Sequence, residues 1–312
     1  MTDSVFPSVF ENGGRCDSLQ AACAWLMETR ESHEAQLAVS GAVLFRGFPI
    51  ATAEDFDAFS AVFGYTPFTY EDSLSNAVRI NFTKRVFTAN EAPKDVDIFL
   101  HHEMAQTPIS PSRLFFCCIS AAERGGATPL CRSDRLFSSL EEQHPQLAED
   151  FRTKGLCYTT TMPGEDDHAS GQGRSWRSTL SVDGRTQAEE KLASLGYSWI
   201  WEEGGSLRAT TPALPAVRDL GDGSASFYNQ LIAAYLGWQG VREDPSSALS
   251  FGDGTPIDRE GLEAIVELAP QHTYDLQWQD GDVALVDNHR VMHGRRAFSG
   301  DRPRQVLVAM GA

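Results

Sequence analysis

The feature that most constrains this chain is His101-His102-Glu103, which follows the apolar run Ile98-Phe99-Leu100. In an extended strand, side chains at i and i+2 leave the same face. His101 and Glu103 would then aim at one point, and His102 away from it. A second imidazole would complete two histidines and one carboxylate on one side of an ion. That ligand set leaves open positions and is usual for non-haem Fe(II) oxygenases. Near the C-terminus His289 and His293 compete for the role; four apart on a strand, they would share a face. Either one lies far along the chain, so the fold must bring distant strands side by side. Alone, an H-x-E pair is a weak signal. His33, His144, His168 and His272 sit in polar stretches and read as surface residues.

The 312 residues allow one large domain or two modest ones, and 41% hydrophobic with 22% charged residues is ordinary for a soluble globular chain. No apolar run is long enough for a membrane span. Met1-Thr2-Asp3-Ser4-Val5 has no basic or apolar leader pattern, so a cytoplasmic protein is expected. None of the six cysteines forms a C-x-x-C pair, and they read as reduced, packed thiols. The net charge of −17 argues against nucleic acid and anionic membrane surfaces as partners. Arg295, Arg296, Arg302 and Arg304 are a local exception, close to the proposed metal site.

Periodicity predicts a helix from Leu19 to about Gln36, capped by Asp17-Ser18, and a second opened by Thr52-Ala53-Glu54-Asp55. Helices are also predicted near Ser133–Glu142, Gln146–Lys154, Ala188–Leu195 and Asp258–Leu268. Strands are predicted at Ser40–Phe45, Val78–Phe82, Ile98–Glu103, Arg113–Ile119 and Leu156–Thr161. Further strands fall at Ser206–Thr211, Ser226–Tyr228, Thr273–Trp278, Val283–Asp287 and Gln305–Met310. Many strands with no regular βαβ alternation argue for a mainly β core, a sandwich or barrel, with peripheral helices. No linker composition appears, so residues 1–312 read as a single domain. The polar, glycine-rich stretch Pro163–Gly173 reads as a lid-like insertion around residues 160–180.

Two further residues sharpen the metal reading. Arg304 lies 304 − 293 = 11 positions beyond His293, and Thr128 lies 128 − 103 = 25 beyond Glu103. A guanidinium can grip the distal carboxylate of 2-oxoglutarate with two parallel hydrogen bonds, and a hydroxyl adds a third donor. Together with Val86-Phe87-Thr88-Ala89-Asn90-Glu91-Ala92-Pro93, Leu114-Phe115-Phe116-Cys117, Gly125-Gly126-Ala127-Thr128-Pro129-Leu130, Gly281-Asp282-Val283, Asp287-Asn288, His293-Gly294-Arg295 and Arg302-Pro303-Arg304, these blocks form a pattern. The chain resembles the taurine dioxygenase-like (TauD/TfdA) family of Fe(II)/2-oxoglutarate oxygenases over roughly residues 40 to 310. Within that family it is most similar to SyrP-like amino-acid hydroxylases.

The resemblance implies a double-stranded β-helix, a distorted jelly roll. It implies Fe(II), 2-oxoglutarate and O2, with His101, Glu103 and His293 on the metal and Thr128 and Arg304 on the co-substrate. It favours His293 over His289 by its spacing to Arg304 and its His-Gly-Arg context. Sulfonate-cleaving members carry a further arginine where this chain has Val308, so taurine is an unexpected substrate; an apolar residue cannot pair a buried sulfonate. Halogenating relatives replace the carboxylate ligand, whereas Glu103 is present here. The implied activity is hydroxylation of an unactivated C–H bond in an amino acid or related small carboxylate, free or carrier-tethered, in natural-product biosynthesis. Desaturation, cyclisation or rearrangement by the same chemistry is the alternative, and a non-catalytic metal-binding sensor is a more remote one. Trp176, Arg177, Arg208 and Asn229 are candidate substrate contacts. Expected partners are a small-molecule substrate and, for a tethered substrate, an aminoacyl carrier protein; homo-oligomer formation stays open. Substitution of His102 is expected to be far milder than that of His101.

Overall fold

Alternation along the central strands sets the architecture. In Arg113–Ser120, Phe115 and Cys117 face one apolar cluster, while Leu114, Phe116 and Cys118 face another. Val283–Asp287 and Gln305–Gly311 divide the same way: Val283, Leu285, Leu307 and Ala309 to the first, Ala284, Val286, Val306 and Val308 to the second. A strand whose two faces are both apolar must lie between two layers. The computed structural model, which describes residues 6–69, 74, 79–89, 92–166 and 174–312, shows those layers.

A seven-stranded sheet runs in the order Ser8–Glu11, Ala42–Arg46, Val283–Asp287, Arg113–Ser120, Gln305–Gly311, Pro67–Phe68, and Val86–Thr88 also pairs with Gln305–Gly311. Its pairings are antiparallel except the first, which is parallel. A four-stranded sheet, Thr273–Leu276, Thr128–Arg132, Val291–Arg295 and Ile98–His101, faces it through Leu130, Leu276 and Val291. A further four-stranded sheet joins Ser198–Trp201, Leu207–Thr210, Leu156–Met162 and Leu249–Phe251.

The helices are α1 (Leu19–Ser40), α2 (Ala53–Ala61), α3 (Ser133–Gln143), α4 (Pro145–Lys154), α5 (Trp176–Leu180), α6 (Arg185–Ser194), α7 (Leu231–Gly237) and α8 (Arg259–Leu268). α1 and α2 cover the outer face of the large sheet. α3, α4, α7 and α8 cover the outer face of the smaller one, against Cys131 and Met292. The result is mainly β, two facing sheets between helical layers. Local chemistry starts the first two helices: the Ser18 hydroxyl accepts from Ala21 N–H, and Thr52 and Asp55 form a reciprocal capping box. Among the described residues, no helix is long and apolar enough to cross a membrane.

Several expectations are corrected. α1 continues to Ser40, and the following strand starts only at Ala42. Of the predicted Val78–Phe82 strand, residue 78 lies outside the described residues, and the rest forms only an isolated bridge, Asn81 to Phe87. Residues 167–173 of the proposed lid, including His168, and Asn90-Glu91 likewise lie outside them. His33 is buried, edge-on to Phe10 and Phe45 with ring centroids 4.3 and 5.1 Å away, and burial lowers its pKa. The polar residues around it occupy the other faces of the helix. His272 is half-buried, with Nε2 at 2.8 Å from the Ser139 hydroxyl. The cysteines are free thiols, and adjacent Cys117 and Cys118 point into opposite clusters.

One buried polar network ties these layers together. Asp134 accepts from Arg132 Nε at 2.8 Å and Nη2 at 2.6 Å, and from Arg290 Nη1 at 2.8 Å. Arg132 also donates to the Ser40 carbonyl at the end of α1, and Arg290 to Asp222. Burial alone would raise the Asp134 pKa; the hydrogen bonds and charges of Arg132 and Arg290 outweigh it and hold the carboxyl below its ordinary value. Removing it takes from Arg132 its carboxylate partner and from Arg290 one of two, a loss of about 3–5 kcal/mol. Asp134→Ala is therefore expected to lower unfolding free energy by about that amount in urea titrations. Because the folded pKa is depressed, this contribution is complete above the unfolded pKa near 3.8 and disappears as pH falls through the folded value. The wild-type and mutant stabilities should converge on acidification; a gap that stays constant below pH 4 would contradict this.

Candidate functional site

His101 and His293 meet because their strands are antiparallel neighbours and pair them directly in register. Their ring centroids are 4.3 Å apart. The register then slips, with Arg295 opposite Ile98. Gly294 sits at this slip: a Cβ there would lie 2.4 Å from the Ile98 carbonyl oxygen, so only glycine allows the approach. The His-Gly-Arg context is thus a packing requirement of the histidine pair.

Glu103 departs from the sequence argument. The strand ends at His101, and Glu103 lies in the turn that follows, ahead of Met104 with φ +59°. Its carboxylate nevertheless reaches the same point, with Oε2 3.4 Å from His293 Nε2 and 3.8 Å from His101 Nε2. The ligand atoms of the three residues lie within 4.8 Å of one another. Cis ligands on bonds of about 2.1 Å would sit roughly 3 Å apart, so small adjustments bring all three onto one ion. His101 Nδ1 lies 2.7 Å from the Phe99 carbonyl, which can only accept; the proton belongs on Nδ1 and Nε2 is left as the donor atom. Burial would raise the Glu103 pKa, but the adjacent His101 and His293 side chains hold it well below the usual carboxylate range. Burial, then the neighbouring His101, lowers His293 to about 4. A carboxylate and a neutral imidazole are the forms that bind metal.

His102 points away from this cluster, as strand alternation requires, but it is fully buried. Nδ1 faces the Asn288 carbonyl and Nε2 lies 2.9 Å from the Ser133 hydroxyl. The carbonyl only accepts, so the neutral ring carries its proton on Nδ1 and donates from there; burial lowers its pKa to about 3. His102 thus lies outside the triad, and its burial and hydrogen bonds give it a structural role. His289 lies in the turn before the His293 strand, edge-on to Tyr228, which separates the two candidates that sequence left open.

Thr128 and Arg304 line the same cavity as the triad, about 550 Å³ counting its mouth. Thr128 Oγ1 accepts from Trp278 Nε1 at 2.9 Å, which leaves its own O–H to donate elsewhere. Arg304 Nε donates to the Gly126 carbonyl, and its guanidinium lies 5.5 Å from the Phe298 ring centroid. Gly126 makes room for it, since a Cβ there would press to 3.0 Å on Arg304. Burial and the nearby Arg295 lower the Arg304 pKa to about 10, so it stays cationic near neutral pH. Among the described residues no carboxylate pairs with it. Phe87, Phe116, Val306 and Val308 form an apolar floor.

An outer cleft of about 1980 Å³ also reaches His101 and Glu103, and Arg208, Glu202 and Trp238 line it. Arg79 borders both spaces. It was missed because its segment read only as a strand, with no motif to mark the arginine. Of the substrate candidates, Arg208 lies in the cleft. Trp176 is 1% exposed, edge-on to Trp201, and donates to Gly205; it is a core residue. Arg177 is exposed, over Trp176, and donates to Gly164. Asn229 is buried and spends its amide on Ala216 and the start of α7. None of these three borders the cavity or the cleft.

The basic cluster is also redistributed. Arg295 clamps the carbonyls of Ala92, Pro93 and Val96, Arg296 pairs with Asp275, and Arg302 with Asp280. With Arg304 inside the cavity, these side chains do not form an unopposed basic surface.

Comparisons with known proteins agree with this geometry. The family model described as taurine catabolism dioxygenase TauD, TfdA family, matches residues 17–310. A clavaminate synthase-like protein of Arabidopsis thaliana is 37% identical over 272 residues, 87% of this chain and 81% of that protein. The dapdiamide synthesis protein DdaC of Enterobacter agglomerans is 26% identical over 284 residues, 87% and 83% respectively. A taurine dioxygenase structure from Burkholderia xenovorans aligns with TM-score 0.52 at 17% identity, covering 91% of this chain and 81% of that one. An asparagine oxygenase in complex with Fe(II), hydroxyasparagine and succinate aligns with TM-score 0.54 at 12% identity, covering 94% and 83%. The two structural alignments speak to the fold, and the family model with the 37% relative speaks to descent. The chain belongs to the TauD/TfdA family and is an Fe(II)/2-oxoglutarate-dependent dioxygenase.

Proposed function

We propose that this dioxygenase hydroxylates an unactivated C–H bond of an amino acid or related small carboxylate, in natural-product biosynthesis. The observation that carries the reading is the meeting of His101, Glu103 and His293 with Thr128 and Arg304 around one cavity. The facing sheets are read as a double-stranded β-helix that presents these groups. The triad would hold Fe(II), and Arg304 with the Thr128 hydroxyl would hold the far carboxylate of 2-oxoglutarate. When bound, iron and 2-oxoglutarate supply O2 activation with loss of CO2 and an oxidant able to take hydrogen from carbon.

The chain's own residues do the rest. A buried guanidinium without a carboxylate partner is costly, so Arg304 favours an anion opposite it. Trp278 Nε1 donates to Thr128 Oγ1, which leaves the threonine proton for that anion. The apolar floor excludes water. Val308 in that floor offers nothing to a sulfonate. The outer cleft carries both cations, Arg79 and Arg208, and anions, Asp97 and Glu202, a polarity suited to a zwitterion. The names of the relatives, clavaminate synthase-like and dapdiamide synthesis, support a biosynthetic role. Because the C-terminal arginines are engaged locally, a free substrate is favoured over one on an acidic carrier.

The test is O2-dependent succinate formation with Fe(II) across amino acids, taurine and carrier-bound aminoacyl groups, with product gaining one oxygen atom. An amino acid should couple succinate to hydroxylation, and taurine should not; coupled turnover of taurine alone would refute the substrate class. Glu103→Ala is expected to abolish hydroxylation and weaken iron binding, and near-normal turnover would remove the carboxylate from the ligand set. Arg304→Ala should raise the apparent KM for 2-oxoglutarate roughly 100-fold, the equivalent of about 3 kcal/mol for a charge-assisted pair. An unchanged KM would place the co-substrate elsewhere.

A further inference from the structure

We propose that Asn288 is the positioning residue that aims Glu103 at the metal. Glu103 sits outside the strand ladder that aligns His101, so no neighbouring strand fixes its peptide unit. One side chain does so instead. Asn288 Oδ1 accepts from Glu103 N–H at 2.7 Å, and Nδ2 donates to the Glu103 carbonyl at 3.0 Å. Nδ2 also donates to the Pro111 carbonyl at 2.7 Å. All three hydrogen bonds are made by a fully buried amide.

Asn288 is itself held at both ends. Its N–H donates to the Ser112 carbonyl, and its carbonyl accepts from His102 Nδ1. It lies in the turn between Val283–Asp287 and Val291–Arg295, the strand that carries His293. The carboxylate's backbone is therefore registered to the same turn that launches the second imidazole. Met104 follows in the left-handed region, which turns the chain away immediately after the ligand. Only a carboxamide of this length offers one acceptor and two donors in that arrangement. Aspartate lacks the donors, and alanine lacks all three groups. Groups that orient a metal ligand are typically worth ~10–100-fold in metal affinity.

The proposal rests on the metal reading of the triad and is tested with Mn(II) alone, by titrating the full chain and following free Mn(II) by electron paramagnetic resonance. Asn288→Ala should raise the Mn(II) Kd ~10–100-fold. Asn288→Asp, which keeps an acceptor for Glu103 N–H, should raise it by a smaller but measurable factor. Leu262→Ala, in the helical core around α8, is the stability control. It should lower the melting temperature comparably yet leave the Kd within about twofold. Folded Asn288→Asp with wild-type affinity would overturn the proposal, as would a Leu262→Ala variant that loses affinity in step with its stability. Should Asn288→Ala not fold, the aspartate variant decides. Wild-type chain without Mn(II) affinity would overturn the metal reading, and the positioning role with it.

Discussion

The structure turns on one antiparallel pairing, that of Val291–Arg295 with Ile98–His101. It places two imidazoles from distant parts of the chain in direct register. Backbone hydrogen bonding sets that register, and a one-residue slip would send each histidine to the opposite face. The large sheet behind the pair, with both faces buried, gives the smaller sheet a rigid surface to rest on. The helices beyond close the other side. The stiffness of the site is therefore the stiffness of the sandwich.

The carboxylate is a different case. It stands on a turn and depends on side-chain hydrogen bonding for its direction, where the histidines depend on a ladder. The cavity follows the same division. Its anchors, Thr128 and Arg304, stand on or beside strands that bound the sandwich, and its floor is the inward face of the large sheet. Charge is placed sparingly. Arg295 is close enough to lower the proton affinity of Arg304, yet Arg295 is satisfied by loop carbonyls and Arg304 has no described carboxylate. That asymmetry makes one arginine structural and the other available.

Much of this was legible in the sequence where periodicity or capping chemistry carried it. The Thr52 capping box, the alternating apolar strands and the spacing of the C-terminal block all correspond to described elements. Other readings failed for physical reasons. Trp176 and Asn229 looked like site residues by type, but a tryptophan or an amide is as readily consumed by core packing and backbone hydrogen bonds. His33 looked exposed because its neighbours are polar, whereas a helix of period 3.6 can bury a single stripe. The arginines after His293 looked like a basic patch because the acids that neutralise them, Asp275 and Asp280, come from another strand and the turn beyond it.

By itself the sequence determined a short set of candidate ligands and co-substrate contacts and that a β architecture had to gather them, because ligand type and strand alternation are local properties. Tertiary structure decided between His289 and His293, brought Arg79 to the cavity edge, and assigned Asn288 to the Glu103 turn. Those outcomes depend on register, turn geometry and which partner a polar atom finds. They are set by contacts between residues far apart in the chain, which no stretch of sequence contains.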